Sequence, residues 1–271
     1  ADTIGASIEI NTVSAFDRKR DLYSFRVEGS YNDLRDTLTP KASFDFSKKL
    51  GDDFGIAGGA SYYQRKFATN NVEADGWTTG DDGTDFVEEV EYRDYDVERK
   101  RFSATLNFDY RLSDTTELYA RGLYSQFDDQ EYRRRLIFDV GDFDQPVSVS
   151  GDSVVFVSNE DEEIGVERDL KDRMESQKIR SLVIGGKTLI DQLSLKYSAS
   201  WSKSTETEND NFDPATFKRD FAEEGLGVAF DYSNDRIPRY DVSTPDRGFF
   251  DAASYELDEI EFVDISDASD E

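Results

Sequence analysis

Between Arg101 and Leu112 the chain alternates without a break. Phe102, Ala104, Leu106, Phe108, Tyr110 and Leu112 take one set of positions, and Arg101, Ser103, Thr105, Asn107, Asp109 and Arg111 take the other. Successive side chains of a strand point to opposite faces, so this stretch predicts a strand with one apolar and one ionic face; the 3.6-residue period of a helix is absent. The same two-residue period returns in Tyr23 to Tyr31, Ala42 to Phe46, Phe54 to Tyr62, Leu118 to Tyr124, Leu182 to Gly186 and Leu193 to Trp201. The expectation is about seven antiparallel strands.

Alternation does not say whether the apolar face meets a protein core or lipid, and the connections bear on that choice. "GDD" (51–53), "SDTT" (113–116) and "IDQ" (190–192) are short and carry the turn former Asp. Residues 68–91, 128–178 and everything from 203 onward read as long, acidic connections, while "DLRDTLTP" is modest. Short turns at one end and long loops at the other are the pattern of bacterial outer-membrane barrels. Phe46, Tyr110, Tyr119 and Tyr124, near strand ends, fit an interfacial girdle or ordinary strand packing.

Composition removes other classes. With formal net charge −28, and 60 Asp plus Glu against 32 Lys plus Arg, the chain lacks the clustered cations of a nucleic-acid binder. It has no Cys and no His, which excludes disulfide frameworks, thiolate metal sites and Ser-His-Asp triads. No run approaches the roughly 18 apolar residues of a membrane helix. No carboxylate pair stands out as an acid and base, so neither an enzyme nor a cofactor is expected.

Single residues carry narrower expectations. Residues 75–85 and 159–169 are rich in Asp and Glu, but the ligand spacing of a calcium loop is missing, and solvated loops are expected rather than metal sites. Trp77, in a predicted loop, offers a face for sugar or siderophore stacking, or packs locally. Tyr132, Arg133, Arg134 and Arg135 stand where the fifth strand is expected to leave a membrane; they would meet an anionic ligand or lipopolysaccharide phosphates, or pair with loop carboxylates. Arg101, Asp109, Arg111, Arg121 and Lys187 would face the lumen and form ion pairs there.

The opening "ADTIGASIEINTVSAFDRK" resembles the end of the plug domain and the approach to the barrel in TonB-dependent outer-membrane receptors. Ile4, Gly5, Ile8, Ile10, Thr12 and the run Ser14, Ala15, Phe16, Asp17, Arg18 carry the resemblance, with Ala6 where the family usually has a second Gly. "TELYARGLYSQFDDQEYRRR" (116–135) and "GLGVAFDYSNDRIPRY" (225–240) also look like family segments. The resemblance implies an all-β antiparallel meander of long strands, a partial transmembrane β-barrel with long extracellular loops. Residues 1–18 would end the plug, and residues 19–271 would form the N-terminal portion of a barrel of about 22 strands, making this chain a piece of a larger protein. It further implies substrate capture at the surface of the bacterial outer membrane and import driven by the TonB complex. Partners would be outer-membrane lipid, lipopolysaccharide, and a siderophore, oligosaccharide or similar substrate; the family also handles cobalamin. A passive porin or adhesin barrel, and a secreted soluble β-rich glycan-binding protein, are the alternative readings.

Overall fold

The structure, a computed structural model, describes residues 13–223, 225–244 and 248–270; the plug-like positions Ile4 to Thr12 lie outside the described residues. The fold is all-β. Its main sheet has eight strands, β1 (Leu22–Asn32), β2 (Thr37–Leu50), β3 (Phe54–Thr79), β4 (Asp85–Ser113), β5 (Thr116–Asp139), β8 (Ile164–Ile190), β9 (Leu193–Phe221) and β12 (Glu256–Asp270). They lie in that order, every neighbour pair antiparallel, and the first and last strands do not meet. This open meander fits a partial barrel.

Two excursions from the sheet build a second one. β6 (Ser148–Ser150) and β7 (Ser153–Val157) lie between β5 and β8, and β10 (Gly227–Asp231) and β11 (Arg239–Ser243) between β9 and β12. They join in the order β11-β10-β7-β6, with Val157 opposite Gly227.

The strands outrun the sequence expectation. β3, β4, β5, β8 and β9 hold 26, 29, 24, 27 and 29 residues, roughly 80–95 Å of extended chain. Most of 68–91 is therefore a hairpin around a turn at 80–84, and the outer parts of 128–178 and 203–221 are strand. Alternation fades there because both faces become charged, which removes the periodic signal but not the ladder hydrogen bonds. β12, an eighth strand inside a stretch expected to be loop, was hidden by Asp and Glu, which are depleted in strands, and by three register shifts against β9.

Along β4, β5 and β8 the register, unbroken from Glu89 to Arg111 on β4, assigns each side chain to a face. The face bearing Phe108, Ala120 and Ile184 has three zones. Nearest the short turns, Phe54 to Tyr62 and their cross-strand partners form an apolar band about nine residues tall. Its members, with Phe25 on β1 and Leu195 and Trp201 on β9, have no protein over them; Phe25 is 72% exposed, Leu195 49% and Trp201 45%. Next comes a polar zone with Lys100, Asp128 and Ser176, then Asp94 and Arg134. Farthest out, Val90, Phe138 and Val166 are fully buried under the second sheet. The one dry cluster among the described residues is this outer one, where Phe86, Phe138, Phe156, Phe221, Phe230 and Phe249 converge.

Candidate functional site

The opposite face of the band is mostly polar, with Asp45 and Ser47 on β2, Thr105, Asn107 and Asp109 on β4, and Ser198, Ser200 and Ser202 on β9, and with Ala57, Leu123 and Val183 among them. Cross-strand register brings Arg101, Asp109, Arg111, Arg121 and Lys187 all to this face. Arg101 lies over the Phe127 ring at 4.7 Å, and Arg111 reaches Glu117 at 3.6 Å. Arg121 forms an ion pair with Asp109. Lys187 stands directly opposite Lys196.

Against this face sits the start of the described chain. Ser14 caps a turn of 3-10 helix, Ala15–Asp17: its side chain accepts from the Phe16 N–H, and the Asp17 carboxylate accepts from the Ser14 N–H. That reciprocal pairing satisfies donors the turn would leave bare. Asp109, 7% exposed, accepts from the Ser14 hydroxyl at 2.8 Å and the Ala15 N–H at 3.3 Å as well as from Arg121. The Phe16 ring lies under the Arg111 guanidinium at 3.9 Å, and Ala15 is buried against Gly55. A cleft of about 660 Å³ opens beside the turn, bounded by Asp17, Arg111, Glu117, Lys187 and Lys196.

Higher on the same side, past the band, a ribbon of ion pairs crosses five strands. Glu73 on β3 meets Arg93 on β4; Arg135 on β5 meets Glu91 at 3.3 Å and Asp169 on β8 at 2.6 Å. Arg133 bridges Asp169 at 3.3 Å and Asp213 on β9 at 3.1 Å, and Lys171 joins Asp213 at 2.6 Å and Glu131 at 3.1 Å. Burial works against the charge of Arg135, but Asp169 and Glu91 outweigh it and raise its pKa. Asp169 is fully enclosed between two guanidinium groups, so removing either would leave a charge unpaired in a poorly hydrated place.

Alternation therefore splits the run Tyr132 to Arg135. Arg133 and Arg135 belong to the ribbon, while Tyr132, half-exposed, and Arg134, paired with Asp94 at 2.7 Å, face the other way. Trp77 lies on β3 rather than in a loop, half-exposed, its ring 5.2 Å from Tyr232. The structure does not bring Trp77 and the arginine run into one site. Burial pushes the Tyr232 hydroxyl up to about 12, although it accepts the Val87 N–H.

Sequence reasoning missed two groupings. Tyr92, Leu136, Leu170, Phe217 and Tyr255 line a cleft of about 600 Å³ rimmed by Asp94 and Arg134, visible only once the segment around Tyr255 folds over β5 and β8. Among the described residues, Glu175, Glu206 and Glu208 offer carboxylates within 4.8 Å of one another, a spacing that could hold a metal ion. Gln177 already donates to Glu175 and Glu206, and Asn211 to Glu208. Burial raises the Glu175 pKa, with Glu206 and Glu208 adding to the rise against Arg173. Their signal, Glu at alternate positions across a register shift, was buried in a general excess of Glu.

No family model, curated protein or solved structure matches this chain. Its chemistry rests on geometry alone. What the groups described above offer is a mostly polar wall, a seated turn and two clefts.

Proposed function

We propose that this chain forms part of the wall of an outer-membrane β-barrel of the TonB-dependent receptor kind, which takes up a substrate such as a siderophore or oligosaccharide at the cell surface. The apolar band carries the reading. It is about nine residues tall, continuous across neighbouring strands, bare of protein and backed by a mostly polar face. A tilted strand needs about 9–11 residues to cross a bilayer, and in water each exposed Phe or Leu would forgo roughly 1.5–3 kcal/mol of burial.

The bare edges of β1 and β12 support closure by further strands, since an open ladder edge in hydrocarbon costs several kcal/mol per unsatisfied group. The turn at Ser14 to Asp17 supports a plugged rather than an open barrel, because it occupies the polar face that would become the lumen. The second sheet then lies on the extracellular side, and the short turns point to the periplasm.

Fractionation of cells that make the natural protein tests this. The protein should sediment with outer membranes and migrate differently in detergent gels before and after heating. Protease added to intact cells should cut at 80–84 or 140–163 before it reaches 51–53. Cleavage at 51–53 first would reverse the orientation, and recovery in the soluble fraction would end the reading. Deletion of the gene should abolish energy-dependent uptake of the labelled substrate.

A further inference from the structure

The cleft between the polar zone and the second sheet is built on one row of cross-strand neighbours. Tyr92 on β4, Leu136 on β5, Arg168 on β8 and Phe217 on β9 stand side by side on the face that carries the apolar band. The next row toward the band holds Asp94, Arg134 and Leu170, and Tyr255 completes a space of about 600 Å³, a size that suits a small ligand. Both tyrosine hydroxyls are already engaged, Tyr92 donating to the Pro238 carbonyl and Tyr255 to the Phe249 carbonyl, each at 3.0 Å. Their rings are thereby held in place as walls.

Arg168 is the charge this wall leaves unanswered. Its guanidinium donates to the Phe249 carbonyl at 2.8 Å and lies over the rings of Phe249 and Tyr255 at 5.0 and 4.9 Å. Its cross-strand neighbours are Leu136 and Phe217 rather than carboxylates. Among the described residues Arg168 enters no ion pair, and its Nε is buried without a hydrogen-bond partner. A charge half withdrawn from water and left without a counter-ion is costly, so a carboxylate entering the cleft would be received there. Asp94 and Arg134 differ: they are exposed and paired with each other at 2.7 Å, which cancels their charge but leaves donors and lone pairs at the rim.

We propose that this cleft binds an acidic sugar, a pyranose ring bearing a carboxylate, as one unit of a glycan. The C–H faces of the ring suit Tyr92, Phe217 and Tyr255, the carboxylate suits the Arg168 guanidinium, and the hydroxyls suit the Asp94–Arg134 rim. A neutral sugar would leave Arg168 without a counter-ion, and an aromatic acid without hydroxyls would bring Asp94 no donor. Tyr92 lies ten residues along β4 from Phe102, the last apolar residue of the band on that strand, about 33 Å of extended chain. The cleft therefore stands clear of the band, on the face away from the seated turn. The inference goes beyond the barrel reading and does not depend on it, because the same strands form the cleft whether lipid or water covers the band.

The test is isothermal titration of the 271-residue chain in detergent micelles with tri-galacturonate, its methyl ester and benzoate. The acid should bind about tenfold more tightly than the ester, the worth of one charge-assisted pair. Arg168→Gln should bring the acid down to the affinity of the ester, whereas Arg134→Gln, at the exposed rim, should weaken both alike. Equal affinity for acid and ester would overturn the carboxylate site. Displacement of the trimer by an equal concentration of benzoate would make this an aromatic-acid site and overturn the sugar. No binding of the trimer to a chain whose near-ultraviolet dichroism shows packed tyrosines would overturn the site altogether. If Arg168→Gln loses that dichroism, Arg168→Lys decides: it keeps the charge without the planar fork, so it should bind the trimer more weakly yet still prefer acid to ester, and loss of the preference would overturn the role of Arg168. Competition by delipidated lipopolysaccharide would place the sugar acid on the cell's own surface, and its absence would place it on a soluble glycan; the site stands in either case. Recovery of the natural protein in the soluble fraction would end the barrel reading and leave these affinities unchanged.

Discussion

Ala15 and Gly55 touch so closely that a methyl group placed on Gly55 would stand 2.8 Å from the Ala15 Cβ. Glycine is required there by contact, not by backbone angle: its absent side chain is the seat of the turn that Ser14 caps. Gly55→Ala should lift that turn off the polar face and cost about 1–3 kcal/mol. Trypsin cleavage after Arg18, Lys19 or Arg20 should rise several-fold. Ala15→Gly in the same chain should recover most of the loss; a double variant as labile as Gly55→Ala alone would show that the contact is not the cause.

Acid should weaken the polar zone through Glu98. Burial pushes its pKa up, yet hydrogen bonds from Lys100, Gln64 and Lys66 prevail and hold it at about 2, below the ordinary 4.5. A carboxylate with a depressed folded pKa adds stability that is fully present above its unfolded value and disappears as pH falls towards the folded one. The contribution should therefore be intact at pH 5 and drain away between about 4.5 and 2. Denaturant midpoints measured across that range should fall less steeply for Glu98→Gln than for the parent.

Phe138 is fully buried and packs against the rings of Tyr92, Phe230, Tyr240 and Phe249 at 4.9–6.3 Å. Phe138→Ala should cost about 3–5 kcal/mol by loss of transfer energy and the cavity left behind. The damage should be local. Fluorescence of Trp77, which leans on Tyr232, should change at lower denaturant, while Trp201 in the band should hold its midpoint. Coincident shifts of both would mean that the two ends of the sheet unfold as one.

The adjacent residues Leu195 and Lys196 test the assignment of faces. In a natural barrel folded in liposomes, Leu195→Arg should cost about 2–4 kcal/mol, because hydrocarbon does not hydrate a charge. Leu195→Ala should cost little, since lipid fills the space, whereas in a protein core the same change costs about 2–5 kcal/mol. Lys196→Ala, on the polar face, should also be mild. Denaturant titration of the three variants separates these cases; equal large losses for Leu195→Ala and Leu195→Arg would contradict a lipid contact.

The parts of the fold legible in the sequence are those where one physical demand acts alone. From Phe102 to Leu112 one face is apolar and the other polar, and from Phe54 to Tyr62 one face carries the large apolar residues and the other small ones, so a period of two survives and all seven alternating segments lie within strands. Past Gln126 the same strands carry Asp and Arg on both faces. There Arg133 answers to Asp169 and Arg134 to Asp94 on opposite sides, and a sequence of charges looks like a loop. The second sheet was harder still, because the pairing of Val157 with Gly227 is set by tertiary contact and leaves no local signature. The seated turn was half visible. Ser14 to Arg18 stood out as a motif, but only the fold shows that Asp109 and Gly55 are shaped to receive it.

The partnership of β7 and β10 also sets an order of events during synthesis. β7 is made early, yet until β10 emerges its sole ladder partner is the three-residue β6, too small a hairpin to persist in water. Val154 and Phe156, fully enclosed in the finished protein, must then travel uncovered while β8 and β9 are still being made. Such a chain has a long interval in which sticky surface is on view, the condition that favours aggregation over folding.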